Sequence, residues 1–162
     1  MKKIRITIIS SSEEEYPGCR DILSACAEFE VIACYSSMTE VDIWQALSRS
    51  DVVLLDEAAI RSDYGQAVRR VHEVLPFARI LLILDKMSKN KTMEALSLGV
   101  TGVIERDSMV SSIRKAIPVL YSGESWVSRR IVKSLHSQLK HAGDDSFFPQ
   151  AIQSVPDRKK LN

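Results

Sequence analysis

Asp51-Val52-Val53-Leu54-Leu55-Asp56 is the stretch on which the reading of this chain turns. Four consecutive apolar residues between two acids are too short for a helix and suit a strand buried on both faces. An acid directly after such a strand stands where the sheet meets solvent. In an open α/β sheet, ligands and chemistry gather at the carboxyl ends of the strands. Asp56 is therefore the first candidate for a working residue. The plainer reading is a strand-ending acid that starts a turn.

Upstream of it, Ile4 to Ile9 reads as a first strand, rich in β-branched residues. Ser10, Ser11 and Ser12 lead through Glu13, Glu14 and Glu15 as a polar loop, and Pro17 suits the first turn of a helix. Cys19, Ile22, Leu23 and Cys26 then fall at helical spacing. Val31 to Tyr35 is a second strand. Ser37 with Glu40 three residues on resembles a capping box, opening a helix with Val41, Trp44 and Leu47 on one side.

Downstream, Ile60 to Asp63 reads as a loop. Ala67, Val71, Val74 and Leu75 mark a third helix that stops near Pro76. Ile80 to Leu84 is a fourth buried strand. A helix over 89–98 ends at Gly99, a suitable left-handed cap. Gly102 to Ile104 is a short fifth strand. Met109, Ile113, Ile117 and Leu120 stripe a fifth helix ended by Gly123, with Pro118 expected to kink or break it. Beyond it, Val132, Leu135 and Leu139 run along one side of a basic helix carrying Arg129, Arg130, Lys133 and Lys140. Gly143, Asp144 and Asp145 break that helix. From Ser146 to Asn162 no period is visible, and little order is expected.

Strand and helix thus alternate five times, which predicts an α/β fold with a doubly wound parallel sheet. Five strands suit the flavodoxin-like order 2-1-3-4-5, whose switch point lies between strands 1 and 3. The crevice there would be lined by Ser10, Ser11, Ser12 and Asp56.

Composition narrows the function. Lys+Arg of 22 against Asp+Glu of 21 leaves a net charge of +1, which makes no global electrostatic case for nucleic acid or a membrane surface. Cys19, Cys26 and Cys34 are odd in number and lack metal-ligand spacing, which fits free thiols in a reducing compartment. No apolar run reaches membrane length and no cleavable leader is legible, so a cytoplasmic protein is expected. The Gly-x-Gly-x-x-Gly turn of dinucleotide sites is missing, as is the Gly-x-Ser-x-Gly elbow of hydrolases. A flavodoxin phosphate loop would not carry three glutamates. His72, His136 and His141 fall away from the crevice and read as surface or packing residues.

Here the residues reach a family. The chain resembles the receiver domain of two-component response regulators of the NarL/LuxR type over about Ile4 to Leu139. The specific pieces are Val52 to Leu55 ending in Asp56; Ala95, Leu96 and Gly99 before Gly102; Arg106 and Asp107; and the run from Ile113 to Leu135. That run, with Ala116, Gly123, Glu124, Trp126 and Ser128, is similar to a receiver's end and its linker helix. The resemblance implies a receiver-like domain over 1–122, a linker helix over 123–141 and a tail over 142–162. The tail would lead to a helix-turn-helix domain absent here. The sequence stops at Leu161 and Asn162, about where such a domain opens, and the natural chain is expected to run on into it.

The family's chemistry is phosphoryl transfer to an Asp at the end of strand 3, with Mg²⁺ held by two acids after strand 1. It also uses a Ser or Thr after strand 4, a Lys after strand 5 and an aromatic switch residue on strand 5. Asp56 matches the phospho-acceptor. Ser10 and Ser11 stand at the acidic-pair positions, Leu84 and Val103 at the switch positions, and Arg106 at the Lys position. Mg²⁺ wants carboxylate oxygens, and two hydroxyls are poor substitutes. Leu84 cannot bond a phosphoryl oxygen. Arg106 can still pair with Asp56 through two parallel bonds and lower its pKa. The expectation is a degenerate receiver with an Asp56–Arg106 pair, no metal, no cofactor and no catalysis. Glu13 or Asp85 would have to complete any substitute Mg²⁺ site.

Three functions follow. The first is a phosphorylation-independent regulatory module of a transcriptional response regulator, acting by dimerisation or partner binding. The second is a working receiver phosphorylated on Asp56 by a histidine kinase, with Mg²⁺. The third is a free-standing phosphatase-like α/β enzyme, against which stands Ala58 where a second acid is wanted. DNA would be reached only through the further domain. A homodimer is expected through the stripes Ile113, Ile117, Leu120 and Val132, Leu135, Leu139, because exposed apolar stripes usually mark interfaces.

Overall fold

The computed structural model describes residues 2–11, 19–60 and 64–142. Strands β1 (Ile4–Ile9), β2 (Phe29–Tyr35), β3 (Val52–Asp56), β4 (Arg79–Leu84) and β5 (Gly102–Glu105) form one parallel sheet in the order 2-1-3-4-5. Helices α1 (Cys19–Ser24) and α5 (Met109–Tyr121) cover one face. Helices α2 (Ile43–Ser48), α3 (Tyr64–Val74) and α4 (Lys89–Ser97) cover the other. Helix α6 (Arg129–Ala142) packs on α4. All five residues of β3 are buried, and they alternate as a pleat requires: Val52 and Leu54 join the α1/α5 core, Val53 and Leu55 the other.

Several boundaries differ from the sequence reading, each for a local reason. The Ser37–Glu40 capping box does not form. Glu40 accepts instead from the N–H and hydroxyl of Ser36, at 3.1 and 2.9 Å. The helix begins only at Ile43, so Val41 precedes it and stands 97% exposed, while Ile43 takes the core place. In α3, Val68 is buried and Val74 is half exposed, because the core-facing stripe drifts around the helix. Helix α5 runs unbroken through Pro118. Proline sits there within the last turn, and the Pro118 carbonyl still accepts from the Ser122 N–H at 3.0 Å.

The described residues of the stripes expected to form a dimer face pack inside the chain. Ile113, Ile117 and Leu120 are fully buried against the sheet with Ala116 and Trp126. Leu135 is buried with Leu96 and Val127, and Ile131, Val132 and Met93 pack around them. These packed side chains are not the exposed apolar stripes from which a homodimer was expected. Leu139 lies outside the residues whose side chains are described, as do Lys140 and His141. Ser12, Glu13, Glu14, Glu15, Pro17, Asp63, Gly143, Asp144, Asp145 and the stretch 146–162 lie outside the described residues.

The segment before α6 is tied to the sheet. The Val103 N–H donates to the Trp126 carbonyl at 2.9 Å, and the Trp126 N–H to the Thr101 carbonyl at 3.1 Å, partly covering the outer edge of β5. Among the described residues no helix is long and apolar enough to cross a membrane.

Candidate functional site

β3 carries Asp56 to the carboxyl end of the sheet, where it is only 2% exposed. Four donors meet its two oxygens. Oδ1 accepts from the Ala58 N–H at 3.0 Å and from Arg106 Nη2 at 2.7 Å. Oδ2 accepts from the Ser10 hydroxyl at 3.0 Å and from Arg106 Nη1 at 3.1 Å. The Ser10 contact follows from the switch point, which sets the end of β1 beside the end of β3.

Arg106 reaches Asp56 from two strands away. β4 lies between β3 and β5, so the gap is two strand spacings, about 9.5 Å. The length and planar fork of an arginine span it and pair bidentately. Arg106 passes the end of β4 on the way, and its Nε donates to Asp85 there. Asp85 in turn donates its backbone N–H to Glu57 Oε2 at 3.0 Å, and Glu57 Oε1 pairs with Lys91 Nζ at 2.8 Å. The strand ends are thus joined in one ion network, Asp56–Arg106–Asp85 and Glu57–Lys91.

Burial pushes the Asp56 carboxyl above its ordinary value. The Ala58 N–H and the Ser10 hydroxyl pull it back, and the charges of Asp85 and Glu57 raise it further. The net direction is up, opposite to the lowering expected from Arg106 alone. Desolvation of a carboxylate in a dry sheet end outweighs the gain from its partners.

Other expected positions do not join the site. Ser11 is exposed and lines a depression of about 600 Å³ with Ser36, Thr39, Ile60 and Arg70. Leu84 and Val103 are buried in the α2/α3 core, with no polar atom to offer. Glu13 lies outside the described residues, and Asp85 is occupied by Arg106. Among the described residues the donor set around Asp56 does not fit a divalent cation. Both Asp56 oxygens already carry guanidinium bonds, and Ser10 adds only a neutral hydroxyl where hard-cation sites use carboxylates. Among the described residues no group of three or more His, Cys, Asp or Glu side chains is arranged to hold a metal.

No family model matches the chain. The DNA-binding transcriptional activator DevR/DosR of Mycobacterium tuberculosis (strain ATCC 25618 / H37Rv) is 22% identical over 144 residues, covering 87% of this chain. The chain spans 65% of that relative's length. Among solved structures, a two-component response regulator of the LuxR family from Aurantimonas sp. SI85-9A1 superposes with a TM-score of 0.73 at 17% identity. That likeness covers 85% of this chain and 98% of the other. The non-phosphorylated receiver domain of the stress response regulator RcsB from Escherichia coli gives a TM-score of 0.70 at 14% identity, covering 79% and 100%. The chain folds as a response-regulator receiver domain.

Two residues at these strand ends were not legible in the sequence. Glu57 follows Asp56 directly and carries no motif of its own. Lys91 sits in the first turn of α4, which the sequence presents as an ordinary polar face. The only signal was charge: Glu57 and Lys91 are of opposite sign at the ends of neighbouring β-α units. Nothing local distinguishes them from solvated charges.

Proposed function

We propose that this chain is a regulatory receiver module of a LuxR-type transcriptional response regulator. In it, a standing Asp56–Arg106 ion pair has replaced the phosphorylation site. The observation that carries the reading is the filled carboxylate. An ionised carboxyl has about four lone-pair positions, and Asp56 accepts four hydrogen bonds. A phosphoryl acceptor needs a free oxygen lone pair in line with the leaving group, and charge neutralisation around the transferred group. Here the lone pairs are committed. The acid pair is replaced by Ser10 and Ser11, and Leu84 offers no hydroxyl.

The module's output then rests on protein–protein contact rather than on a phosphate. The DNA-binding activator DevR/DosR is a distant relative, which supports a role in transcription, with DNA reached through another part of a longer protein. Incubation with Mg²⁺ and acetyl phosphate or phosphoramidate, followed by intact mass measurement, tests the proposal. The expected result is unmodified protein. A stoichiometric phosphate adduct that disappears in Asp56→Asn would overturn it and establish a working receiver, phosphorylatable on Asp56.

A further inference from the structure

The crevice expected at the switch point is divided in two. Ser10 bonds Asp56, whose oxygens Arg106 also holds, whereas the next residue, Ser11, lines an open depression of about 600 Å³. The loops after β1, β2 and β3 all reach this depression, and α3 completes it. The carboxyl ends of strands flanking a switch point are where open α/β sheets bind ligands. The volume lies within the roughly 300–1,000 Å³ usual for small-molecule sites.

The lining carries one charge. Arg70 supplies a guanidinium, and among the described residues no carboxylate lines the depression. Arg70 also has no acid partner among the described residues. Its guanidinium lies over the Trp44 ring instead, 5.4 Å from the centroid. Trp44 packs against the core, so the stack holds the cation in place and leaves N–H groups for an anion.

The loop after β2 supplies hydroxyls. Ser37 and Thr39 share one hydrogen bond at 2.8 Å, and the Thr39 N–H donates to Ser37 Oγ at 3.3 Å, so one O–H of the pair is left over. The Ser36 hydroxyl donates to Glu40 at 2.9 Å, and that acid is not part of the lining. Gln66 stands four residues before Arg70, on the same side of α3. Met38, Ile60 and Ala67 add apolar surface.

We propose that this depression binds a small hydroxylated organic anion, a sugar phosphate or sugar acid, with its charged group on Arg70 and its hydroxyls against Ser11, Ser37, Thr39 and Gln66. A guanidinium pairs with phosphate and carboxylate oxygens alike. Serine and threonine hydroxyls donate and accept, as a sugar hydroxyl does. Arg70 stands one helical turn further from the strand ends than Gln66. The charged group is thereby seated away from the loop in which Glu13, Glu14 and Glu15 follow Ser11 in sequence. Ile60 ends the turn whose Ala58 N–H holds Asp56, so a ligand here touches that turn. The site itself uses neither Asp56 nor Arg106, and its test is independent of the phosphodonor experiment.

The test is amide NMR on the isotope-labelled whole chain, titrated separately with glucose-6-phosphate, gluconate, glucose and inorganic phosphate. Saturable shifts of the amides of 36–39 and 66–70 are expected with at least one of the two sugar anions, half-saturating at about 0.1–1 mM. The stronger of the two identifies the head group. Arg70→Gln is expected to weaken that binding at least about tenfold, through loss of a charged contact. Arg69→Gln, an exposed neighbour outside the lining, is expected to leave it unchanged. The proposal is overturned if neither sugar anion gives a saturable shift by about 10 mM. It is equally overturned if glucose or inorganic phosphate alone binds as well, or if Arg70→Gln binds as wild type. Should Arg70→Gln not fold, Gln66→Ala decides: about threefold weaker binding is expected, and unchanged binding overturns the proposal.

Discussion

Replacing Arg106 by Met removes a cation and keeps much of its apolar stem. Asp56 is then left 2% exposed, with its charge and without a counter-ion. Breaking a buried ion pair from one side costs about 3–5 kcal/mol. Two features reduce that here. The Ser10 hydroxyl and the Ala58 N–H still hold the carboxylate, and Asp56 can escape by taking up a proton. The expected loss at neutral pH is about 2–4 kcal/mol. Asp56→Asn is gentler. Arg106 keeps Asp85 and reaches solvent, with 15% of its side chain exposed, so a loss of about 1–2 kcal/mol is expected. Urea unfolding followed by circular dichroism, with m values compared, measures both. The pH dependence has a definite sign. Without Arg106 the folded-state value of Asp56 rises further, so the folded variant binds a proton that the unfolded chain does not. Its deficit therefore shrinks as pH falls through that folded value, and returns in full above it. An Arg106→Met variant within about 0.5 kcal/mol of wild type, or one less damaged than Asp56→Asn, would refute the reasoning.

Two more outcomes are expected. Gly99 and Gly123 both have positive φ, 93° and 92°, but a Cβ at Gly99 would meet the His72 ring at 2.9 Å, whereas at Gly123 nothing lies within 4 Å. Gly123→Ala should therefore cost about 1 kcal/mol from backbone strain alone, and Gly99→Ala distinctly more, read from urea midpoints. Leu135→Ala should cost about 2–3 kcal/mol of α6 docking, because Leu135 fills the small cluster with Leu96 and Val127. Limited trypsin digestion reads this as faster cleavage after Arg130 and Lys133, and an unchanged cleavage rate there would count against the packing.

What the sequence determined by itself is the framework. Apolar runs such as Val52 to Leu55 and Ile80 to Leu84 have one sensible use, as strands covered on both faces, and their alternation with helical stripes leaves few sheet orders. The burial pattern is set by residues close in the chain, which is why it could be read. Asp56 at a strand end and Ser10 beside it followed from the same logic once the order 2-1-3-4-5 was in hand. Tertiary structure alone decided the rest, because it turns on side chains meeting across strands. That Arg106 passes Asp85 to reach Asp56, and that Glu57 holds Lys91, depends on which strand lies between which. The rise in the Asp56 value depends on how much water is excluded there, which charge pairing in the sequence could not show. The stripe of α6 was legible as apolar but not as covered. Its partner is the outer side of α4 and Val127, a surface that exists only after the chain has folded.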